Sequence, residues 1–201
     1  FHYIGHIDEN GIECADGYLD ARSLDSVGVE SFFLNACQSY EQGTALIDAG
    51  SVGGVVTLND VVNSGAVRVG KAMARLLNRG FPLRAGLNVA QKRSIVGDQY
   101  LVVGDGNADV VQAERGVPVL LEVETLADDE FELTPRSYIS SQGGLGGFVT
   151  PRFYEDERQF LASGKLPSHT STRKELQLTV GVEPIPLLFD GEFAWSDDVS
   201  F

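Results

Sequence analysis

The sequence predicts an α/β protein, with a mostly parallel sheet flanked by helices in its first half and a smaller β-rich part after it. Three observations carry that expectation. From Phe1 to about residue 105 apolar strand-like runs alternate with helical patterns, the order of a parallel sheet with crossover helices. From Val117 onward strand signals dominate. Between the two, GDGNADVVQAERG (104–116) is polar and glycine-bearing, which places a linker at 106–116 between domains at 1–105 and 117–201.

The elements follow in order. Phe1–Gly5 reads as the first strand, with His2, Ile4 and His6 on one face and Phe1, Tyr3 and Gly5 on the other. In Ile12–Ala21 the Asp16-Gly17 pair predicts a tight hairpin. Val29–Leu34 and Val52–Leu58 are buried strands, and a helix is expected to begin near Gly43 between them. Asn63 and Ser64 are good caps for a helix to about Arg79, where Ala66, Val69, Met73, Leu76 and Leu77 share one face. Gly80 ends it, Pro82 admits a second helix through Leu83, Leu87 and Ala90, and Tyr100–Val103 closes the sheet. Beyond the linker, strands are expected at Val117–Leu126, Phe131–Ile139, Gly147–Phe153, Leu176–Val182 and Pro184–Phe189, with a short helix at Glu155–Ser163. That pattern suggests a small β-sandwich with its last strand, carrying Pro184 and Pro186, at an edge.

Composition narrows the function classes. With 201 residues, 43% apolar and 22% charged, the chain can bury a core and is not disordered throughout. It has no run of 18 apolar residues to span a bilayer. FHYIGHID lacks the order of a signal peptide and reads as the middle of a buried strand, so a piece of a longer protein is expected. The net charge, 15 − 29 = −14, repels nucleic-acid phosphates and acidic membranes, and neither is an expected partner. Lysine occurs only at 71, 92, 165 and 174; diffuse acidity with scarce lysine fits a salt-adapted organism such as a halophilic archaeon. Cys14 and Cys37 are too few for a disulfide framework and point to a reducing, cytoplasmic setting.

The chemistry gathers at two strand ends. His6 ends the first strand after Gly5, and Cys37 ends a second in FFLNACQSYEQG. Ligands and catalysis collect outside the carboxyl ends of strands in an open parallel sheet, so both side chains are expected at one edge. There an imidazole takes the thiol proton and holds the thiolate as an ion pair, helped by the positive end of the helix that follows.

HYIGH followed by FFLNACQSY and ALIDAGSVGGVVTL resembles the CHAT group of caspase-like cysteine peptidases, relatives of caspases and separases, over roughly residues 1–105. The resemblance implies that His6 is the histidine of a Gly-His motif and Cys37 the nucleophile of an Ala-Cys motif. It also implies an oxyanion hole from the backbone N–H groups of Ile7 and Cys37. The sequence departs from the family at Ile7, where glycine is usual, and at Asn59, where a tryptophan is common. Its histidine and cysteine lie 37 − 6 = 31 residues apart, against about 50 in caspases. Relatives that cut after basic residues carry an aspartate two positions before the cysteine, where Asn35 stands. Asn35, Asn59 and Asp60 are the candidate substrate-pocket residues, and the acidic surface favours basic substrates.

The function expected is that of a cysteine endopeptidase, a regulated effector acting on a protein or peptide and controlled by a regulatory protein or an upstream domain. The rival expectation, which Ile7 and Asn59 favour, is a catalytically inactive caspase-like module that binds another protein. His2 and Cys14 are expected to pack, and His169 to lie in a solvated loop. No cofactor or metal is expected. The glycine runs at 104–106 and 143–147 lack the Gly-Lys-Ser/Thr of a phosphate loop, Asp105, Asp109 and 128–130 lack EF-hand spacing, and the histidines and cysteines lack zinc spacing.

Overall fold

A computed structural model describes residues 1–61, 63–92, 98–113, 117–140, 148–149, 159–160 and 162–201. They divide into two compact units, Phe1–Asn78 with Pro82–Val111, and Arg79–Phe81 with Gln112–Phe201.

The first unit begins with β1 (His2–Ile4), β2 (Ile7–Asp8), β3 (Gly11–Cys14) and β4 (Gly17–Leu19). After a 3-10 turn at Ala21–Ser23 come β5 (Ser31–Asn35), α1 (Tyr40–Asp48), β6 (Gly53–Thr57), α2 (Asn63–Leu77), α3 (Leu83–Gln91) and β7 (Tyr100–Gly104). The main sheet has the order β1-β5-β6-β7, with β1, β5 and β6 parallel and β7 antiparallel to β6. All five residues of β6 are buried, as a central strand covered on both faces requires. On one face α1 approaches closely because Gly43 has no side chain where a Cβ would meet Val56. Phe32, Leu34, Leu46 and Val56 form the core there. On the other face Val69, Met73, Leu76, Leu83 and Leu87 of α2 and α3 are buried, each at the helical spacing read from the sequence.

β2, β3 and β4 form a separate antiparallel sheet. The hairpin pairs Cys14 with Gly17, so its two loop residues are Ala15 and Asp16, one position before the expected pair. Gly17 takes a φ of 143°, which a side chain would oppose. The stretch expected as a linker makes backbone hydrogen bonds at its start. The amide N–H groups of Leu83 and Arg84 donate to the carbonyls of Ala108 and Gly106, which ties it to the start of α3.

The second unit comprises β8 (Val119–Ala127), β9 (Glu130–Ser137), β10 (Phe148–Val149), β11 (Gln159–Phe160), β12 (Gly164–Lys165), β13 (His169–Thr172), α4 (Arg173–Val180), β14 (Pro186–Phe189) and β15 (Glu192–Trp195). Its described residues hold a six-stranded sheet, with β12 and β13 both paired to β9, and a separate two-stranded sheet of β10 and β11; α4 rather than a second large sheet packs on the six-stranded one. Leu176 and Val180 of α4 pack with Leu121, Val123, Phe131, Leu133 and Leu187 of the sheet. Three expectations are corrected. Leu176–Val182 is mostly helix, because Thr172 and Glu175 form a capping box. The strand carrying Pro186 lies between β8 and β15 instead of at an edge; Pro186 is its first residue, and Asp190-Gly191 turns the chain into β15. In the expected helix at 155–163, Gln159 and Phe160 instead pair with Phe148 and Val149, and residues 155–158 and 161 lie outside the described residues, as do 147 and 150–153 of the strand expected before it.

Candidate active site

The parallel pairing of β1 with β5 sets Ile4 beside Asn35. His6 and Cys37 each follow two residues later, 6 − 4 = 37 − 35 = 2, so both leave the same carboxyl edge of the sheet from neighbouring strands. Gly5 permits this exit, because a Cβ there would meet the Tyr3 hydroxyl. That hydroxyl donates to the carbonyls of His6 and Glu13, each at 2.8 Å, and the Glu13 N–H donates to the His6 carbonyl at 3.0 Å. The backbone at His6 is therefore held from two sides.

Cys37 stands on the turn from β5 into α1, and Gln38 after it adopts a φ of 52°. Such a conformation is costly for a residue with a side chain and persists where the surroundings enforce it. Here Ser39 Oγ donates to the Leu34 carbonyl at 3.0 Å, and Thr57 Oγ1 donates to the Ala36 carbonyl. The Thr57 N–H reaches Ser39 Oγ at 2.9 Å and the Ser39 N–H reaches Thr57 Oγ1 at 3.3 Å. Gln38 is tied outward, its Nε2 donating to Asp60 Oδ1 at 3.1 Å and its N–H to the Asn59 carbonyl at 3.4 Å.

The half-buried Cys37 sulfur accepts from the Val61 N–H at 3.4 Å. His6 is exposed, and among the described residues no hydrogen bond joins its imidazole to Cys37 or to any other group. The thiol thus lies against Val61, in the segment after β6. The Glu13-to-His6 bond makes Ile7 and Ile12 a non-hydrogen-bonded pair, which aims the Ile7 N–H away from β3. Neither that N–H nor the N–H of Cys37 has an acceptor among the described residues.

The three pocket candidates separate. Asn59 and Asp60 are exposed at the end of β6, beside the Cys37 turn. Asn59 also donates from Nδ2 to Gln99 Oε1 at 2.9 Å. Asn35 is 4% exposed and faces inward. Its Nδ2 donates to the Ala66 carbonyl at 3.0 Å, close packing that Gly70 allows, and its Oδ1 accepts from Tyr100 at 2.6 Å. Burial, and then the neighbouring charge of Cys37, pushes the Tyr100 phenol up to about 12. Asn35 therefore supports the site from beneath and presents no amide to a substrate.

His2, expected to pack, is exposed as a residue while its ring stacks on Phe33 at a centroid distance of 4.8 Å; partial desolvation of the ring, and then the N-terminal ammonium, lower its pKa. Cys14 is exposed rather than packed, and His169 is a strand residue rather than a loop one. A cavity of about 220 Å³ lined by Phe1, His2, Ser31 and Leu77 among others lies at the amino ends of β1 and β5, not beside Cys37. Among the described residues no group of three or more His, Cys, Asp or Glu is placed to hold a metal ion, and no helix is long and apolar enough to cross a membrane. Sequence reasoning missed Ser39, Thr57 and Tyr100. A hydroxyl residue at each of two adjacent strand ends, in NACQS and VVTLN, was the signal available for the first two. No family model, curated protein or solved structure matches the chain.

Proposed function

We propose that the chain is a caspase-like cysteine endopeptidase in which His6 and Cys37 form the dyad. The observation that carries the reading is the shared register: parallel neighbours deliver an imidazole and a thiol to one edge with the same offset. Imidazole takes the thiol proton, and the thiolate adds to a peptide carbonyl. The two unpartnered N–H groups, of Cys37 and Ile7, receive the oxyanion, each good donor contributing about 3 kcal/mol. The imidazolium then gives its proton to the leaving amine as the C–N bond breaks. Water hydrolyses the thioester and restores the thiol. Asn59 and Asp60 flank the cleft, and Asp60 suits a basic side chain of a protein or peptide substrate.

The test is the rate of Cys37 alkylation against pH, followed by mass in wild type and His6→Ala, with peptide cleavage measured alongside. A paired thiolate reacts well below the free-thiol pKa of about 8.5, and His6→Ala moves that limb up toward it. Cys37→Ala and His6→Ala abolish cleavage of any peptide the wild type cuts. Cys37 that alkylates only like a free thiol, in both proteins, would falsify the dyad. The Val61 contact favours a second reading, a binding module whose thiol stays docked; it expects that same unshifted profile and no cleavage.

A further inference from the structure

We propose that the buried Ser39–Thr57 hydroxyl pair is the positioning device of the Cys37 thiol, a role that rests on the dyad reading and deepens it. Both residues are 0% exposed, and neither hydrogen-bonds the sulfur. Their hydroxyls instead seize two carbonyls just ahead of the turn, Leu34 and Ala36, and the backbone N–H of each residue donates to the other's hydroxyl. Cys37 follows the second of these carbonyls directly, so its backbone has little freedom before the left-handed Gln38.

Ser39 supplies the decisive detail. It occupies the N-cap of α1, where a serine hydroxyl ordinarily accepts a hydrogen bond from the first helical turn, yet it makes no such bond. The hydroxyl is turned back to the Leu34 carbonyl and to Thr57. A residue placed only to start the helix would cap it; this one gives up the cap to fix the turn. Thr57 ends β6, the strand that carries Asn59, Asp60 and Val61 onward. The pair therefore fixes together the thiol's turn and the segment that lines it.

The experiment labels Cys37 and Cys14 with iodoacetamide in the full 201-residue chain, reading each thiol by mass across pH 5 to 9 (conditions spanning roughly the thiolate range). Thermal melts run in parallel. Exposed Cys14 is the control within the molecule. Ser39→Ala and Thr57→Val are expected to change the Cys37 rate about tenfold or more and to move its pH limb, because small misplacements of a reacting group have large effects on rate. Cys14 should keep its wild-type rate. Thr57→Ser, which retains the hydroxyl, should restore the Cys37 profile even where its melting temperature stays lowered. A folded Ser39→Ala or Thr57→Val protein with the wild-type Cys37 profile would overturn the proposal. So would Thr57→Ser behaving like Thr57→Val, since the effect would then track packing. If neither variant folds, Thr57→Ser alone decides: its Cys37 profile must match wild type. Should wild-type Cys37 itself lack an acid-shifted limb, the dyad fails, while the ratio of Cys37 to Cys14 labelling still reports whether the pair sets the thiol's presentation.

Discussion

One hydroxyl, that of Tyr100, joins β7 to β5 and through Asn35 to α2. It donates to Asn35 Oδ1 at 2.6 Å while the same amide donates to Ala66, so a single buried side chain ties three elements together under the Cys37 turn. With the phenol pushed up to about 12, Tyr100 stays a donor over the whole range in which a thiolate would work. Tyr100→Phe keeps the ring and removes the donor, leaving the Asn35 oxygen buried and unpaired. The expected cost is about 1–3 kcal/mol by urea denaturation, with the slope unchanged. No loss would mean that the amide had found another partner. Sequence alone located Asn35 at the end of a strand near the cysteine, and so read it as a pocket residue. Period-2 alternation assigns a face, but only the packing of α2 over that face, admitted by Gly70, decides that the amide is enclosed. The placement of His6 and Cys37 just past neighbouring strands was legible because a strand end is visible in sequence. Ser39 and Thr57 were not, because their work is done by pairing across 18 positions.

Among the elements, α4 separates the two periodicities. Leu176, Leu178, Val180 and Val182 alternate, which is a strand signal. Wound as a helix, they divide: Leu176 and Val180, four apart, are buried, Leu178 is 66% exposed, and Val182, beyond the helix end, is 49% exposed. What selects the helix is its start. Thr172 and Glu175 bond reciprocally, and the backbone N–H of Thr172 holds the Glu175 carboxyl below its usual range. A helix expectation therefore depends on reading Thr-x-x-Glu ahead of the apolar run. Two truncations distinguish the readings by measurement. Leu176→Ala should cost about 2–5 kcal/mol, and Leu178→Ala no more than about 0.5 kcal/mol either way. In a half-buried strand both would face one side and both would destabilise. The parallel β5 and β6 were legible for the opposite reason: their apolar runs are short and a helical pattern separates them, so no second periodicity competes.

For the molecule taken whole, the governing quantity is charge. The sum is 15 − 29 = −14, and among the described residues no Asp or Glu belongs to the buried set, so the excess lies outside the core. Some acids are paired, Glu122 with Arg136 and Lys165, and Asp20 with Arg22, but the basic groups are too few to pair the rest. At 0.01 M salt the Debye length is about 30 Å, and carboxylates across a unit repel one another. At 1 M it is about 3 Å, and only near neighbours do. The compact state brings these charges closer than the unfolded chain does, so it gains more from screening. The melting temperature should therefore rise with potassium chloride from roughly 0.1 to 3 M, past the strength at which exposed ion pairs are already screened. Asp128, Asp129 and Glu130 form an exposed cluster at the β8–β9 turn, and changing them to Asn, Asn and Gln should flatten that rise without touching the core. Preferential exclusion of salt also stabilises proteins of any charge, and the triple variant controls for it: exclusion acts equally on both proteins, whereas relief of repulsion scales with the charge removed. A melting temperature that is flat with salt, or a rise the variant shares in full, would remove self-repulsion as the cause.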